Sequence, residues 1–386
     1  MNELEQLRDG IDKIDRELLP MFIERMRLCG QVGEYKKRTD MPVLDSGREK
    51  QLLENKLNLI EDKDKDVSNE VYEFFNSIMA ISRTYQKKLI SGEKCGVCSE
   101  LLENSVARKD NPKVVCFGYE GSYSEEAAEK FFENKCEKIY VSAFVDAFDA
   151  LTNNGADYAV LPIENSSAGV IAEVMDLLAE RKLYIVGEEY IPIRHCLMGV
   201  KGTKTSDIKK LYSHEQAFLQ CPDFIKSLGD VECISHYSTA LSAKSVAQMN
   251  DVSYAAIASE RTAEIYGLEI LAKNINSVDC NTTRFVVIST KPEVSDDASK
   301  ISIVFNLDHE SGALYRVLSS FAHGGLNLLK LESRPVREKP FEYKFFADYT
   351  GNLRDAEVRA ITEEIAQMTI NLILLGNYTN SDGEHR

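Results

Sequence analysis

Apolar residues recur at steps of three and four from the start of the chain: Leu4, Leu7, Ile11, Ile14, Leu18 and Met21, then Leu28, Val32 and Tyr35. This spacing predicts one very long amphipathic helix. Pro20 lies inside it, where an interior proline costs about 3 kcal/mol, so the pattern leaves two outcomes, a bent continuous helix or a break. After Pro42, Ser46-Gly47-Arg48-Glu49 has capping-box spacing and opens a second helix carrying Leu52, Leu53, Leu57 and Ile60. A third runs from Val67 through Val71, Phe74, Ile78, Ile81 and Tyr85. Residues 1–90 therefore read as all-helical, and the charged, polar segment 91–111 reads as a linker with room for a short helix near Leu101.

From 112 to 291 the pattern changes to short apolar runs, such as Val114 to Phe117, Ala159 to Ile163 and Ala255 to Ala258, separated by helix-length amphipathic segments. That alternation predicts an α/β domain with mainly parallel pairing. Between 299 and 378, Ile301, Ile303, Phe305 and Leu307 alternate strictly, and the order strand, helix, strand, strand, helix, strand is ferredoxin-like α+β.

Length and composition agree with a multidomain globular protein: 386 residues suggest about two to three domains, with 44% hydrophobic and 28% charged residues. Met1 to Glu5 offers no basic segment before an apolar run, and no stretch of ~18 apolar residues follows, which predicts a cytoplasmic protein with no membrane partner. Nine cysteines, an odd number in a long chain, fit reduced thiols. Cys95 and Cys98 have metal-ligand spacing without a second pair, so no metal site and no cofactor is expected. A net charge of -16 opposes a nucleic-acid footprint and makes basic residues inside apolar patterns conspicuous.

Arg25 occupies a position where the first helix should be apolar. Lys36, eleven residues on, lies about 20° around the helix and about 16 Å along it, so both side chains can reach one site. Arg8 lies about 26 Å away on another face, so it joins them only from a second copy of the helix, which predicts a homodimer. Ser82 and Gln86 are one turn apart on the third helix. Arg8, Arg25, Lys36, Asp45, Arg48, Glu49, Ser82 and Gln86 together resemble, in type, order and spacing, the active-site set of the all-helical chorismate mutase family. The resemblance implies an intertwined dimer that rearranges chorismate to prephenate, with arginines on the carboxylates, Lys36 and Gln86 on the ether oxygen and Glu49 on the hydroxyl.

The middle block carries Gly118-Tyr119-Glu120-Gly121-Ser122, Leu161-Pro162-Ile163-Glu164-Asn165-Ser166, Arg194-His195-Cys196-Leu197, Tyr212-Ser213-His214-Glu215-Gln216 and Asn281-Thr282-Thr283-Arg284-Phe285. By residue type alone, Asn281 makes a bend before a strand, and His195 and His214 pack or cap. In order, these segments resemble prephenate dehydratase. The resemblance implies two α/β lobes like those of periplasmic solute-binding proteins, with prephenate in the cleft. Thr283 would assist departure of the hydroxyl, Arg284 would either orient a carboxylate or brace the cleft, and Asn165, Ser166, Ser213 and Gln216 would line it.

In the last block, Gly312-Ala313-Leu314-Tyr315 and Glu332-Ser333-Arg334-Pro335 resemble the two phenylalanine-binding motifs of the ACT regulatory domain. The whole pattern resembles the bifunctional chorismate mutase/prephenate dehydratase family, implying phenylalanine synthesis under feedback inhibition by phenylalanine. Two other classes stay open at this level: an amino-acid-binding or sensory protein, and an enzyme in which one catalytic block serves only assembly.

Overall fold

The computed structural model describes residues 2–39, 41, 43, 45–90, 96–278, 280–336 and 342–381; Pro42 and Cys95 lie outside them. Helix α1 (Glu3–Arg38) is a single helix with Pro20 inside it, so the break does not occur. It begins in a reciprocal cap, with Asn2 Oδ1 accepting from Glu5 N and Glu5 Oε2 accepting from Asn2 N. One missing hydrogen bond in so long a helix does not outweigh propagation on both sides. Helix α2 (Ser46–Leu57) is capped one residue earlier than its sequence suggests: Asp45 Oδ1 accepts from Arg48 N at 2.9 Å. A carboxylate there also complements the positive end of the helix.

Helix α3 (Ser68–Ile90) packs along α1 at two glycines. A Cβ at Gly33 would stand 3.2 Å from Gln86 Cβ, and one at Gly30 would stand 3.1 Å from Leu89 Cδ1. The amino-terminal half of α1 leaves this pair behind and exposes Leu4, Leu7, Ile11 and Ile14, each more than half exposed. Among the described residues, no helix is long and apolar enough to cross a membrane.

The α/β region forms two lobes. The first lobe holds β1 (Lys113–Phe117), β2 (Glu137–Val141), β3 (Tyr158–Asn165), β4 (Gly169–Val170) and β5 (Tyr184–Pro192). The second holds β6 (Cys196–Gly199), β7 (Lys210–Ser213), β8 (Glu232–Ser235), β9 (Tyr254–Ala258) and β10 (Glu269–Ala272), after which β11 (Thr282–Ser289) returns to the first. Sheet orders are β2-β1-β3-β11-β5 and β10-β6-β9-β7-β8. Pairing is mixed rather than mainly parallel. β1 with β2 and β3, and β7 with β8 and β9, are parallel. β11 runs antiparallel to β3 and β5 because the chain leaves the first lobe along β5 and re-enters along β11.

The lobes grip each other across the gap. Ser259 Oγ and Thr262 Oγ1 donate to Gly121 O, whose residue has φ of 86° and leaves a Cβ only 3.2 Å from Thr262 Oγ1. Arg261 of the second lobe forms a forked pair with Glu129 of the first, which Lys138 also contacts.

The carboxy-terminal unit is β12 (Lys300–Asn306), helix Ala313–His323, β13 (Leu328–Pro335), β14 (Tyr343–Thr350), helix Ala356–Met368 and β15 (Ile370–Tyr378). Its antiparallel sheet, β13-β14-β12-β15, has the ferredoxin-like topology. Ile301, Ile303 and Phe305 face its helices, while Val304, Phe346, Leu375 and Tyr378 join the first lobe's core beside Val286 and Ile288. The contact is close: a Cβ at Gly376 would fall 2.0 Å from Ile185 O. Helix α4 (Val97–Glu103) is the short helix expected near Leu101, and its Cys98 and Leu101 are buried in this same unit's core.

The hydrogen bond from Arg261 holds the Glu129 carboxyl down from 4.5 to about 2, with Lys138 adding to it against the cost of burial. Because the folded value lies below the unfolded one, the pair stabilises the folded protein above pH ~4.5 and loses that contribution as pH falls toward 2. Denaturation midpoints measured between pH 6 and pH 3 are expected to fall less in Glu129→Gln than in the unsubstituted chain; identical slopes would show that the pair carries no linkage.

Candidate active sites

In the helical block the α1–α3 contact gathers three of the eight residues. Arg25 Nη1 donates to Ser82 Oγ, Ser82 donates to Ile78 O at 2.6 Å, and Gln86 lies one turn on, 7% exposed, with Oε1 buried and unpaired among the described residues. Lys36 Nζ donates to Val43 O at 2.6 Å, which draws the α1–α2 connection toward the same end. Asp45 is spent on the cap of α2, and Arg48 is exposed, reaching Gln51 Oε1 at 3.5 Å. Arg8 stands exposed on the protruding half of α1, about 26 Å along the axis from Arg25.

Glu49 is held by a residue that sequence reasoning missed. Arg83 Nη1 binds its two oxygens at 2.7 and 2.6 Å, and Arg83 Nε reaches Glu364 Oε1 at 3.4 Å on the carboxy-terminal helix Ala356–Met368. Thr84 Oγ1 donates to Glu364 Oε2 at 2.9 Å. The Glu49 carboxylate is thus connected, through one guanidinium, to the third unit. A polar residue between Ser82 and Gln86 was the available signal.

A second site lies at the ends of β3 and β11, where the parallel strand β3 delivers its carboxyl end to the crevice between lobes. Asn165 Oδ1 accepts from Ser167 N and Ala168 N at 3.0 and 2.9 Å, which fixes the direction of the amide. Its Nδ2 must then face the other way, donating to Thr283 Oγ1 and to Asn281 Oδ1, both at 2.8 Å. Since Thr283 Oγ accepts from Asn165, its own hydrogen is left to donate elsewhere. Thr283 is 7% exposed and Asn165 8%.

The structure also places Arg284, Ser166, Ser213 and Gln216. Arg284 is a brace and not a cleft contact: adjacent positions on a strand face opposite ways, and it shares the face of Val286 and Ile288, toward the carboxy-terminal sheet. Its Nε donates to Glu188 Oε2 at 2.8 Å, Nη1 to Asp348 Oδ2 at 2.6 Å and Nη2 to Tyr378 OH at 2.9 Å. Lys300 Nζ binds both oxygens of Glu188 at 3.0 Å. Burial opposes charge on Arg284, but Asp348, Tyr378 and Glu188 hold it firmly protonated; burial likewise opposes charge on Asp348, and Arg284 and Lys300 keep its carboxyl below the usual range.

Ser166 ties the end of β3 to the start of β11, accepting from Thr282 N at 2.9 Å and donating to Cys280 O at 3.1 Å, and borders a cavity of about 380 Å³ on the Arg284 side. Ser213 is fully buried and donates to Ile257 O at 2.7 Å, fastening β7 to β9 instead of lining the cleft. Gln216 is half-buried in the first turn of helix Glu215–Gln220, its N–H held by His214 Nδ1 at 3.1 Å, so His214 caps. His195 is packed, with Nε2 2.9 Å from Gln220 Oε1, and burial lowers its affinity for a proton.

In the third unit, Gly312 has φ of 78° and begins helix Ala313–His323. Ala313 and Leu314 border a cavity of about 700 Å³ with Asp308, Ser311, Phe345 and Ile370, while Tyr315 is half-exposed. Glu332 to Pro335 occupy β13, at the opposite edge of the sheet from β15, and Arg334 Nη2 donates to Asp176 Oδ2 of the first lobe at 3.0 Å. Among the described residues, Glu332 to Pro335 do not border that cavity.

Residues 7–87 match the chorismate mutase type II model and residues 114–293 the prephenate dehydratase model. A bifunctional chorismate mutase/prephenate dehydratase from Buchnera aphidicola subsp. Schizaphis graminum is 33% identical, with 99% of this chain and 97% of that protein covered. Two solved structures each share 28% identity at a TM-score of 0.64. One is the prephenate dehydratase of Arthrobacter aurescens in complex with L-Phe, covering 70% of this chain and 90% of that one. The other is GqqA, described as a novel type of quorum quenching acylase, covering 71% of this chain and 100% of that one.

Removing one partner from a buried ion network leaves an uncompensated charge and costs roughly 3–5 kcal/mol. Arg284→Met is therefore expected to lower unfolding free energy by about that amount, as read by chemical denaturation. Unchanged stability with lost turnover would return Arg284 to a substrate contact.

Proposed function

The chain belongs to the bifunctional chorismate mutase/prephenate dehydratase family, and from that premise we propose how its parts divide the work. It rearranges chorismate to prephenate and converts prephenate to phenylpyruvate. Both steps are redox-neutral and break no bond that demands an organic cofactor.

The first reaction is unimolecular and needs no nucleophile, so catalysis lies in holding the compact conformer and stabilising charge at the breaking ether bond. Arg25 and Arg48 suit the substrate carboxylates because a guanidinium fork matches two oxygens. Lys36 and the amide of Gln86 serve the ether oxygen, Glu49 the hydroxyl, and Ser82 steadies Arg25. Asp45 acts through the cap of α2. Arg8 completes the pocket from a second copy, and the exposed stripe Leu4, Leu7, Ile11 and Ile14 supports that dimer, because so large an apolar face calls for a partner.

In the second reaction the ring carboxylate leaves as CO2, its bonding electrons enter the ring, and the 4-hydroxyl leaves with the electron pair of its C–O bond. The observation that carries this assignment is the fixed amide of Asn165, which turns Thr283 into a hydrogen-bond donor for that oxygen. Gln216, at the opposing lobe, is the remaining cleft candidate.

The ferredoxin-like unit acts as an ACT domain and binds phenylalanine at Gly312 to Tyr315, with Glu332 to Pro335 contributed by a partner copy. The L-Phe complex of the Arthrobacter relative supports this. The signal reaches Thr283 through Asp348, Tyr378 and Arg284, since those contacts tie the sheet to the adjacent position on β11. The protein works in the cytoplasm, where its pathway substrates are made.

Following prephenate and phenylpyruvate separately tests the division. Lys36→Ala is expected to stop chorismate consumption while added prephenate is still dehydrated. Thr283→Ala is expected to lose ~10²-fold or more of the second activity while still making prephenate. Loss of both activities in either folded variant would overturn the assignment.

A further inference from the structure

We propose that Asn281 is a substrate-directed hydrogen-bond donor of the dehydratase site, acting beside Thr283 on the oxygen that leaves prephenate. The inference rests on the dehydratase assignment of Thr283 and goes beyond it by naming a second donor for the same oxygen.

Asn281 looks like a turn residue in sequence, but it is only 3% exposed. It stands where the chain crosses back from the second lobe, with its carbonyl accepting from Ile193 N at 2.8 Å on the outgoing crossing. Its Oδ1 accepts from Asn165 Nδ2 at 2.8 Å and from Ser167 Oγ at 3.3 Å. Its Nδ2 is buried and has no hydrogen-bond partner among the described residues.

The direction of this amide follows from its neighbours. Asn165 is oriented by two backbone N–H groups, so the atom it presents to Asn281 is a donor nitrogen. Rotating the Asn281 amide by 180° would set nitrogen against nitrogen. The unpaired group is therefore an N–H donor, held by the same Asn165 Nδ2 that holds Thr283. Buried amide donors are almost always paired, and one left open at a reaction centre marks the place of an absent acceptor.

The reaction supplies that acceptor. As the ring–carboxylate bond breaks and CO2 departs, the electron pair moves into the ring. The C–O bond then breaks with its pair on oxygen, and the hydroxide is released to solvent, so prephenate dianion becomes phenylpyruvate monoanion, CO2 and hydroxide. Asn281 keeps its protons throughout and contributes only hydrogen bonding to the growing negative charge. Together with the Thr283 hydroxyl it forms a two-donor site organised before the charge appears.

Asn281→Asp is the decisive variant, because it keeps Oδ1 for Asn165 and replaces the donor with an oxygen. At pH 7 its kcat for prephenate is expected to fall ~10²- to 10³-fold, the scale for removing one such donor, with a smaller change in KM. Its activity should rise as pH is lowered and the introduced carboxyl regains a proton to donate, a trend absent from the unsubstituted enzyme. Asn281→Ser, which keeps a short donor, should retain more activity at pH 7 than Asn281→Asp. Chorismate turnover in the same chain should be unchanged and reports folding. A kcat within about tenfold of the unsubstituted enzyme, or Asn281→Ser falling below Asn281→Asp with no acid recovery, would overturn the proposal and leave Asn281 a turn residue. Absence of prephenate turnover in the unsubstituted chain would instead reject the underlying dehydratase assignment.

Discussion

Four buried charged groups fasten the carboxy-terminal sheet to the strand that carries Thr283. Arg284 and Lys300 supply two positive charges, Glu188 and Asp348 two negative ones, and each of these side chains is at most 11% exposed. Removing such groups from water is expensive, and the cost is met only when every oxygen and N–H finds a partner. Tyr378 and Ser302 complete that accounting: Tyr378 OH accepts from Arg284 Nη2, and Ser302 Oγ donates to Asp348 Oδ1 at 2.6 Å. Around the charges, the shared apolar core of Val286, Ile288, Val304 and Leu375 excludes water. The strand carrying Thr283 and the carboxy-terminal sheet are therefore held together as one body, although a turn separates them in sequence.

This constraint also explains what the sequence disclosed and what it concealed. The long helix was legible through Pro20 because its stripe continues on both sides, and the ferredoxin-like order was legible from Ile301, Ile303 and Phe305. The intervening positions Lys300 and Ser302 are polar, yet both are buried. Alternation reports that two faces differ and does not report what covers the second. Parallel pairing was overestimated for a similar reason: the direction of β11 depends on which lobe the chain has just left.

The site residues divide along the same line. Arg25 stood out because it interrupts an apolar helix face, and Ser82 and Gln86 because they lie one turn apart beside the stripe of the third helix, while Gly30 and Gly33, which bring α1 against α3, have no side chain to signal contact. Of the two roles open to Arg284, its contacts with Glu188, Asp348 and Tyr378 favour the brace, since it faces the opposite way from Thr283 beside it. Arg83 and Asn281 escaped because their partners, Glu364 and Asn165, are distant in sequence. A charge or amide acquires its meaning from partners that only the fold supplies.

Amide hydrogen exchange along β11, with and without phenylalanine, tests most directly whether the charged junction carries regulation. The account predicts that phenylalanine changes protection of Thr283 to Ile288 in the unsubstituted enzyme and that Asp348→Asn, which removes the carboxylate facing Arg284, abolishes the change while phenylalanine still binds. An equal change in both proteins, or none in the unsubstituted enzyme under inhibition, would contradict it.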